Sequence, residues 1–399
     1  MSTAVWTTRL ELSSVADKSL RAAARIWFVV ALLGQFVFGI SVAVFYGLTA
    51  LRGNLQAWNR ILGRGIETGA TMSNTALVGH ILFATVITIA GALQLIPGIR
   101  NRFPAFHRWN GRLFVLAAFT QAITGIYLTM WVGKLVGDTT QHVVSVLGAL
   151  LIIFCAVMAP RYAMRRDFTT HRRWALRLFL VASASWFIRL GFAVTFVLFG
   201  PIGFDPTTFS GPMVTFWSIA QYLLPLGVLE LYLWAQGRPG ALRRMATAGV
   251  LFVLTLAMGA GIALVAVGSW VPNVKAGLDP RKSISQILTT TIASGGIDAA
   301  VKQYHELKVA APATYNFDER ELNSLGYRFI RKNKFKEAIR IFQLNVEAYP
   351  KSANTYDSLA EGYMDDGEKA LAIANYKKSL QLNPKNRNAE VMLQKLNAR

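Results

Sequence analysis

The chain has 399 residues, 53% hydrophobic and 16% charged, with 42 Lys and Arg against 21 Asp and Glu for a net charge of +21. Apolar runs before residue 270 are longer than a soluble core helix uses, about 20 residues each, which excludes a purely soluble fold. The surplus bases lie in short loops between those runs, the pattern of membrane topology signals rather than of a nucleic-acid surface.

In chain order, residues 1–25 form a polar segment too long and too charged for a cleavable signal, so the first apolar run reads as an uncleaved anchor. Seven spans are expected near 26–50, 76–97, 111–132, 141–160, 174–199, 213–236 and 247–270. Bases cluster at the N-terminus, at 100–112 (four Arg), at 161–177 (six Arg) and at 238–244 (three Arg). The alternate loops are poor, with only Lys134 in 133–140 and no base in 200–212. Loop 52–75, with Arg52, Arg60 and Arg64, runs against the pattern. The asymmetry predicts a cytoplasmic N-terminus and, after seven spans, an exterior C-terminal domain in a bacterial inner membrane. The single cysteine, Cys155, excludes an intramolecular disulfide and reads as a small core residue.

A helical hairpin recurs within this region, over 76–132 and 141–199. Arg108-Trp109-Asn110-Gly111-Arg112-Leu113-Phe114 returns as Arg173-Trp174-Ala175-Leu176-Arg177-Leu178-Phe179, and His80 and His107 return as His142 and His171. Asp138, Asp167 and Pro104 are expected to start the helices carrying His142, His171 and His107, with Ser73 or Asn74 capping that of His80. The topology puts His80 and His142 near the outer face, and His107 and His171 near the inner one. Copies running the same way are related by an axis along the membrane normal, which predicts two stacked bis-histidine sites in a four-helix bundle. Zinc suits them less, since each layer offers two nitrogens and no cysteine or carboxylate completes a tetrahedral shell. Arg189 is an intramembrane charge and a functional candidate by default, facing a bound anionic group or Asp205. Glu230 is expected to pair with Arg177 or Arg173, and Gln94 and Gln121 to bond between helices.

The order, spacing and sidedness of these histidines resemble those of the ascorbate-reducible transmembrane cytochromes b. The resemblance implies two haems b, ligated by His80 with His142 and by His107 with His171. Their propionates would be met by Arg108, Arg112, Arg177 and Arg189. Residues 76–190 also resemble a bacterial family of predicted membrane proteins of unknown function (domain of unknown function 2306). That likeness is carried by His80, Gly91-x-x-Gln94, Arg100, His107-Arg108-x-x-Gly111-Arg112, His171-Arg172-x-Trp174 and Arg189, and it supplies no activity.

Beyond residue 271 the chain turns soluble and helical. Leu325 and Leu359, Ala338 and Ala372, Phe342 and Tyr376, and Pro350 and Pro384 are each 34 residues apart, the tetratricopeptide period. An irregular earlier copy carries Ala300, Tyr304 and Pro312. Leu322–Pro384 resembles tetratricopeptide tails of some bacterial secreted serine hydrolases, with no nucleophile motif of its own and His305 as a surface residue. The expectation is an all-α chain: a bundle of about seven membrane helices over 26–270 and a tetratricopeptide solenoid over 271–399. It would be a diheme transmembrane electron carrier or oxidoreductase whose tail docks a protein or peptide, with membrane lipids around it and no nucleic acid. The alternative is a non-redox anchor, scaffold or sensor presenting the repeats; a transporter would need broken helices that the sequence does not signal.

Overall fold

A computed structural model describes residues 2–62, 65–67, 69–133, 137–205 and 208–397, so Arg64 and Lys134 lie outside the described residues. The chain is helical almost throughout. Helix α1 (Ser2–Val42) continues through a π-helical turn, Ala43–Gly47, into α2 (Leu48–Leu51), and a 3-10 turn follows at Leu55–Arg60. Then come α3 (Thr71–Gln94), α4 (Pro97–Arg102), α5 (Pro104–Met130), α6 (Thr139–Met164), α7 (Phe168–Ala182) and α8 (Ala184–Phe199). The membrane part closes with α9 (Pro212–Gly237), α10 (Ala241–Val265), a second π-helical turn at Ala266–Trp270, and α11 (Val271–Leu278).

Six of these rods are long and apolar enough to cross a bilayer: Ser13–Leu51, Thr71–Gln94, Pro104–Met130, Thr139–Met164, Pro212–Gly237 and Ala241–Leu278. The expected span over 174–199 is instead two helices, α7 and α8, bent by 55° at Ser183; counted as one, they make a seventh.

Helix starts follow local chemistry. Asp138 accepts from the Thr140 and Gln141 N–H groups while the Gln141 side chain accepts from the Asp138 N–H, a reciprocal capping box. Asp167 accepts from Thr170 N–H at 3.0 Å, and Pro97, Pro104 and Pro212 occupy first helical turns where a missing N–H costs nothing. Ser73 and Asn74 do not cap α3, which starts earlier, at Thr71. Asn74 instead pairs with both backbone groups of Glu67 and ties down the loop before the helix.

Helices α3, α5, α6 and α7 form one bundle around Ile87, Phe114, Ala117, Ala118, Ala156, Leu178 and Phe179, all buried. The alanines let the backbones approach closely, which is how apolar helices associate in lipid. Cys155 is buried in this core, as a small packing residue. A second group joins α1, α8 and α10 through Phe38, Trp186, Leu190, Met258 and Trp270.

The tail begins with β1 (Lys282–Ser283), paired in parallel with β2 (Tyr315–Asn316) and separated from it by α12 (Ile284–Ala310), which breaks at Gly296. Two helix pairs follow, α13 (Glu319–Ile330) with α14 (Phe335–Ala348) and α15 (Ala353–Asp365) with α16 (Lys369–Leu382), then α17 (Arg387–Asn397). The apolar residues with 34-residue spacing are buried: Ala338, Ala372, Phe342 and Tyr376 have no exposed surface, and Ala300 and Tyr304 of the irregular copy are equally enclosed, while Pro350 and Pro384 are exposed. Gly326 is required by packing, since a Cβ there would lie 2.3 Å from the Phe342 ring. The tail touches the membrane part at two places. Gln286 Nε2 donates to Asn54 Oδ1 at 2.6 Å, and Arg387 Nη1 donates to the Val197 and Leu198 carbonyls at 3.3 and 3.2 Å.

Candidate functional site: the histidine corners of the membrane bundle

The duplicated motif folds into duplicated geometry. In the first copy the Arg112 guanidinium stacks on the Trp109 ring at 4.6 Å, and in the second Arg177 stacks on Trp174 at 4.7 Å. The i, i+3 spacing places both partners on one helix face, and such cation–aromatic pairs suit the membrane interface. The Phe closing each copy points inward, and Phe114 and Phe179 meet across Gly91, where a Cβ would approach them to 2.8 and 3.1 Å. The repeat is thus legible inside the bundle as well as along the chain.

His107 and His171 both lie at the Arg-rich end of the bundle, each in the first turn of its helix. His171 Nδ1 lies 2.8 Å from the Ala159 carbonyl, which can only accept, so Nδ1 carries a proton and the ring is oriented by this bond. His107 Nδ1 is buried with no hydrogen-bond partner. Gln94 Nε2 donates to the His107 carbonyl at 2.7 Å and Asn110 Nδ2 to the Ala90 carbonyl at 2.8 Å, which locks the start of α5 against the end of α3. Arg108, Arg112, Arg172 and Arg173 are exposed around this end.

His80 and His142 lie towards the other end of the bundle. His80 is held against α5, its ring on Gly125 and its Nδ1 3.1 Å from Thr124 Oγ1. Thr124 Oγ1 itself donates to the Thr120 carbonyl at 2.7 Å. The His80 ring sits nearly two turns inside the C-terminal end of α5, whereas His142 is half-buried in the first turn of α6. Helix α5 packs against both α3 and α6, and the two carriers stand at opposite corners.

At the Arg-rich end the two imidazoles differ in setting, His171 bonded to a backbone carbonyl and His107 Nδ1 buried without a partner among the described residues. No group of three or more metal-ligating side chains occurs among the described residues, which leaves a two-nitrogen site as the available kind. Between the two histidine layers the space is filled by Phe114, Phe179, Ile87 and Leu178.

Other polar expectations resolve variously. Arg177 Nη2 lies 2.7 Å from Glu230 Oε1, an ion pair as expected, so Arg177 is held by Glu230 and Trp174. Gln94 bonds between helices, but Gln121 Oε1 is buried without a partner. Arg189 lies away from all four histidines, over the Phe38 ring at 5.3 Å and bonded to the Ser185 carbonyl one turn back. Its electrostatic neighbour is Tyr46, within the π-helical turn, and not Asp205. The π-helical turn at Ala43–Gly47 and the bend at Ser183 carry no proline, whereas Pro272 lies just past the turn at Ala266–Trp270 and removes a backbone donor to it.

Residues 77–216 match the family described as "Predicted membrane protein (DUF2306)", which covers both hairpins and all four histidines. No curated protein matches the chain. The segment is similar to a family of membrane proteins of unknown function, and the chain has multiple apolar helices fit to cross a bilayer.

Proposed function

We propose that the protein is a multi-pass scaffold of the bacterial inner membrane that holds a tetratricopeptide-type binding domain against the exterior face. The observation that carries this reading is the two-point seat of the tail, through Asn54 and Gln286 at one side and through Arg387 on the end of α8 at the other. Repeats stacked as helix pairs bury a continuous core and leave one face for a partner, here a protein or peptide. On the α13/α15/α17 face, Asn388 Nδ2 bridges Asp357 Oδ2 and Glu361 Oε1, each at 2.9 Å, and Tyr327 donates to Glu361 at 2.5 Å. A photo-crosslinking residue at Asn354, exposed beside that network, should give one discrete adduct in native membranes, and the same residue at Lys377 on α16 should not. No adduct, or the same adducts from both positions, overturns the reading.

A second reading keeps electron transfer, narrowed to the pair at the Arg-rich end, and is favoured by the oriented His171 ring and by the buried His107 Nδ1, which has no partner among the described residues. There the two imidazoles would hold the iron of a haem b, and Arg108, Arg112 and Arg172 would meet its carboxylates. A bound haem would supply one-electron redox chemistry, while this chain supplies ligands and a cationic rim. Membranes from haem-replete expression should then show a reducible Soret band, lost in His107→Ala and His171→Ala and kept in His80→Ala. No band in the unaltered protein rules it out.

A further inference from the structure

The best-formed cavity among the described residues lies outside the histidine bundle, where the membrane helices meet the tail. It holds about 270 Å³, just under the size range of small-molecule sites. Three parts of the chain line it: Thr49 and Arg52 from the end of the first span, Gly277 and Asp279 from the end of the last, and Lys282, Ser283 and Asn316 from the β1–β2 ladder.

Around it Arg52, Arg281 and Lys282 stand among the carboxylates of Asp279, Asp318 and Glu321. Arg281 is spent on Asp279, with Nη2–Oδ2 at 2.8 Å and Nε–Oδ1 at 3.1 Å. Arg52 Nη1 is aimed by the Gly277 and Asp279 carbonyls, at 2.8 and 3.3 Å, which fix its direction without neutralising it. Lys282 is exposed, and no carboxylate pairs with its ammonium group among the described residues. Asn316, only 6% exposed, uses its carbonyl to cap the Asp318 N–H, and its NH₂ group has no acceptor among the described residues. Arg52 and Lys282, neither in a side-chain ion pair among the described residues, and a preset amide donor therefore line one polar cavity. It stands level with the ends of the first and last spans, the depth of lipid headgroups.

We propose that this cavity is a phosphate-group site at the junction between membrane and tail. A phosphate oxygen accepts from the Arg52 guanidinium and the Asn316 amide, with Lys282 closing the mouth as a point charge. A guanidinium fork suits a phosphate group, and basic groups at this depth each contribute about 1 kcal/mol towards an anionic surface. An occupant here links Arg52 of the first span to Lys282 of the tail, and so fastens the domain that the proposed function presents.

The test uses the full chain, with two sources of phosphate kept apart. In one arm it is reconstituted in nanodiscs of phosphatidylcholine alone or with phosphatidylglycerol, and retained lipid is read by native mass spectrometry. In the other, the detergent-solubilised chain is titrated with inorganic phosphate and the unfolding midpoint is followed. A lipid source predicts selective retention of phosphatidylglycerol, and a soluble source a saturable rise in midpoint with phosphate but not chloride. Lys282→Glu, which removes no contact of the fold, should weaken whichever response is seen by about fivefold or more. Arg52→Lys should weaken it while the chain stays folded, because a point charge replaces the guanidinium fork. Failure of both arms, or a response that Lys282→Glu leaves unchanged, overturns the proposal irrespective of any partner bound by the repeats.

Discussion

Gly91 carries more of the bundle than its size suggests. The two phenylalanines that end the repeated motif converge on it, and a methyl group there would sit 2.8 Å from Phe114. Gly91→Ala should therefore cost about 1–3 kcal/mol of overpacking, read as a lowered unfolding midpoint in detergent. Gly79→Ala, a glycine of the same helix with open space around its Cβ position, should not lower it. A second residue-scale effect belongs to the tail. Burial pushes the Glu361 carboxyl up from the ordinary range near 4.5 to about 7, with Asp357 adding to the shift, and burial together with Asp205 raises Asp365 to about 6. Each group binds its proton more tightly folded than unfolded, so their contribution to stability is greatest at acid pH and is lost as pH rises towards 7. The unfolding midpoint should fall between pH 5 and pH 8, and Glu361→Gln should flatten that slope.

At the scale of elements, the end of α8 depends on the tail for its capping. Its final carbonyls, at Val197 and Leu198, receive hydrogen bonds from Arg387, at the start of α17. Arg387→Ala should speed amide exchange across 383–397 and cost about 1 kcal/mol locally, leaving the α3–α7 bundle unchanged. Elements were the most legible part of the sequence. Asp138, Asp167 and Pro104 announced their helices through side-chain capping and ring geometry, both local properties. Apart from its two prolines, the 34-residue spacing picked out residues that are buried, because packing of one helix pair on the next imposes it. The bend at Ser183 and the π-helical turn at Ala43–Gly47 have no local breaker to read, whereas Pro272 stands just past the turn at Ala266–Trp270. For the site, the spacing of His107 and His171 placed them at equivalent positions, and α5 and α7 do carry them in their first turns. That of His80 and His142 did not foretell the different depths at which α3 and α6 carry them. The hydrogen-bonding state of each ring was beyond sequence altogether, since Ala159 and Thr124 are distant in the chain.

For the whole molecule, the loop charges and the fold together make a definite claim about sides. The Arg-rich ends, where Arg112 and Arg177 stack on their tryptophans, lie at the end of the bundle opposite the tail. A reporter that works only outside the cytoplasm should be active when fused after Arg399, and inactive when fused ahead of residue 2. A reversed result would move the tail, and any partner, to the cytoplasm.

Only five residues separate the last membrane helix, ending at Leu278, from α12, beginning at Ile284, and they are pinned by the Arg281–Asp279 pair and by Arg52. A tether this short has no slack. The tail therefore cannot search a volume above the membrane as a domain on a flexible leash does. It samples only the tilts and rotations of the bundle itself, so its effective reach is a surface and not a sphere. A partner must arrive in the plane of the bilayer, or already oriented to it, and a tug on the repeats is felt at once as torque on the last span.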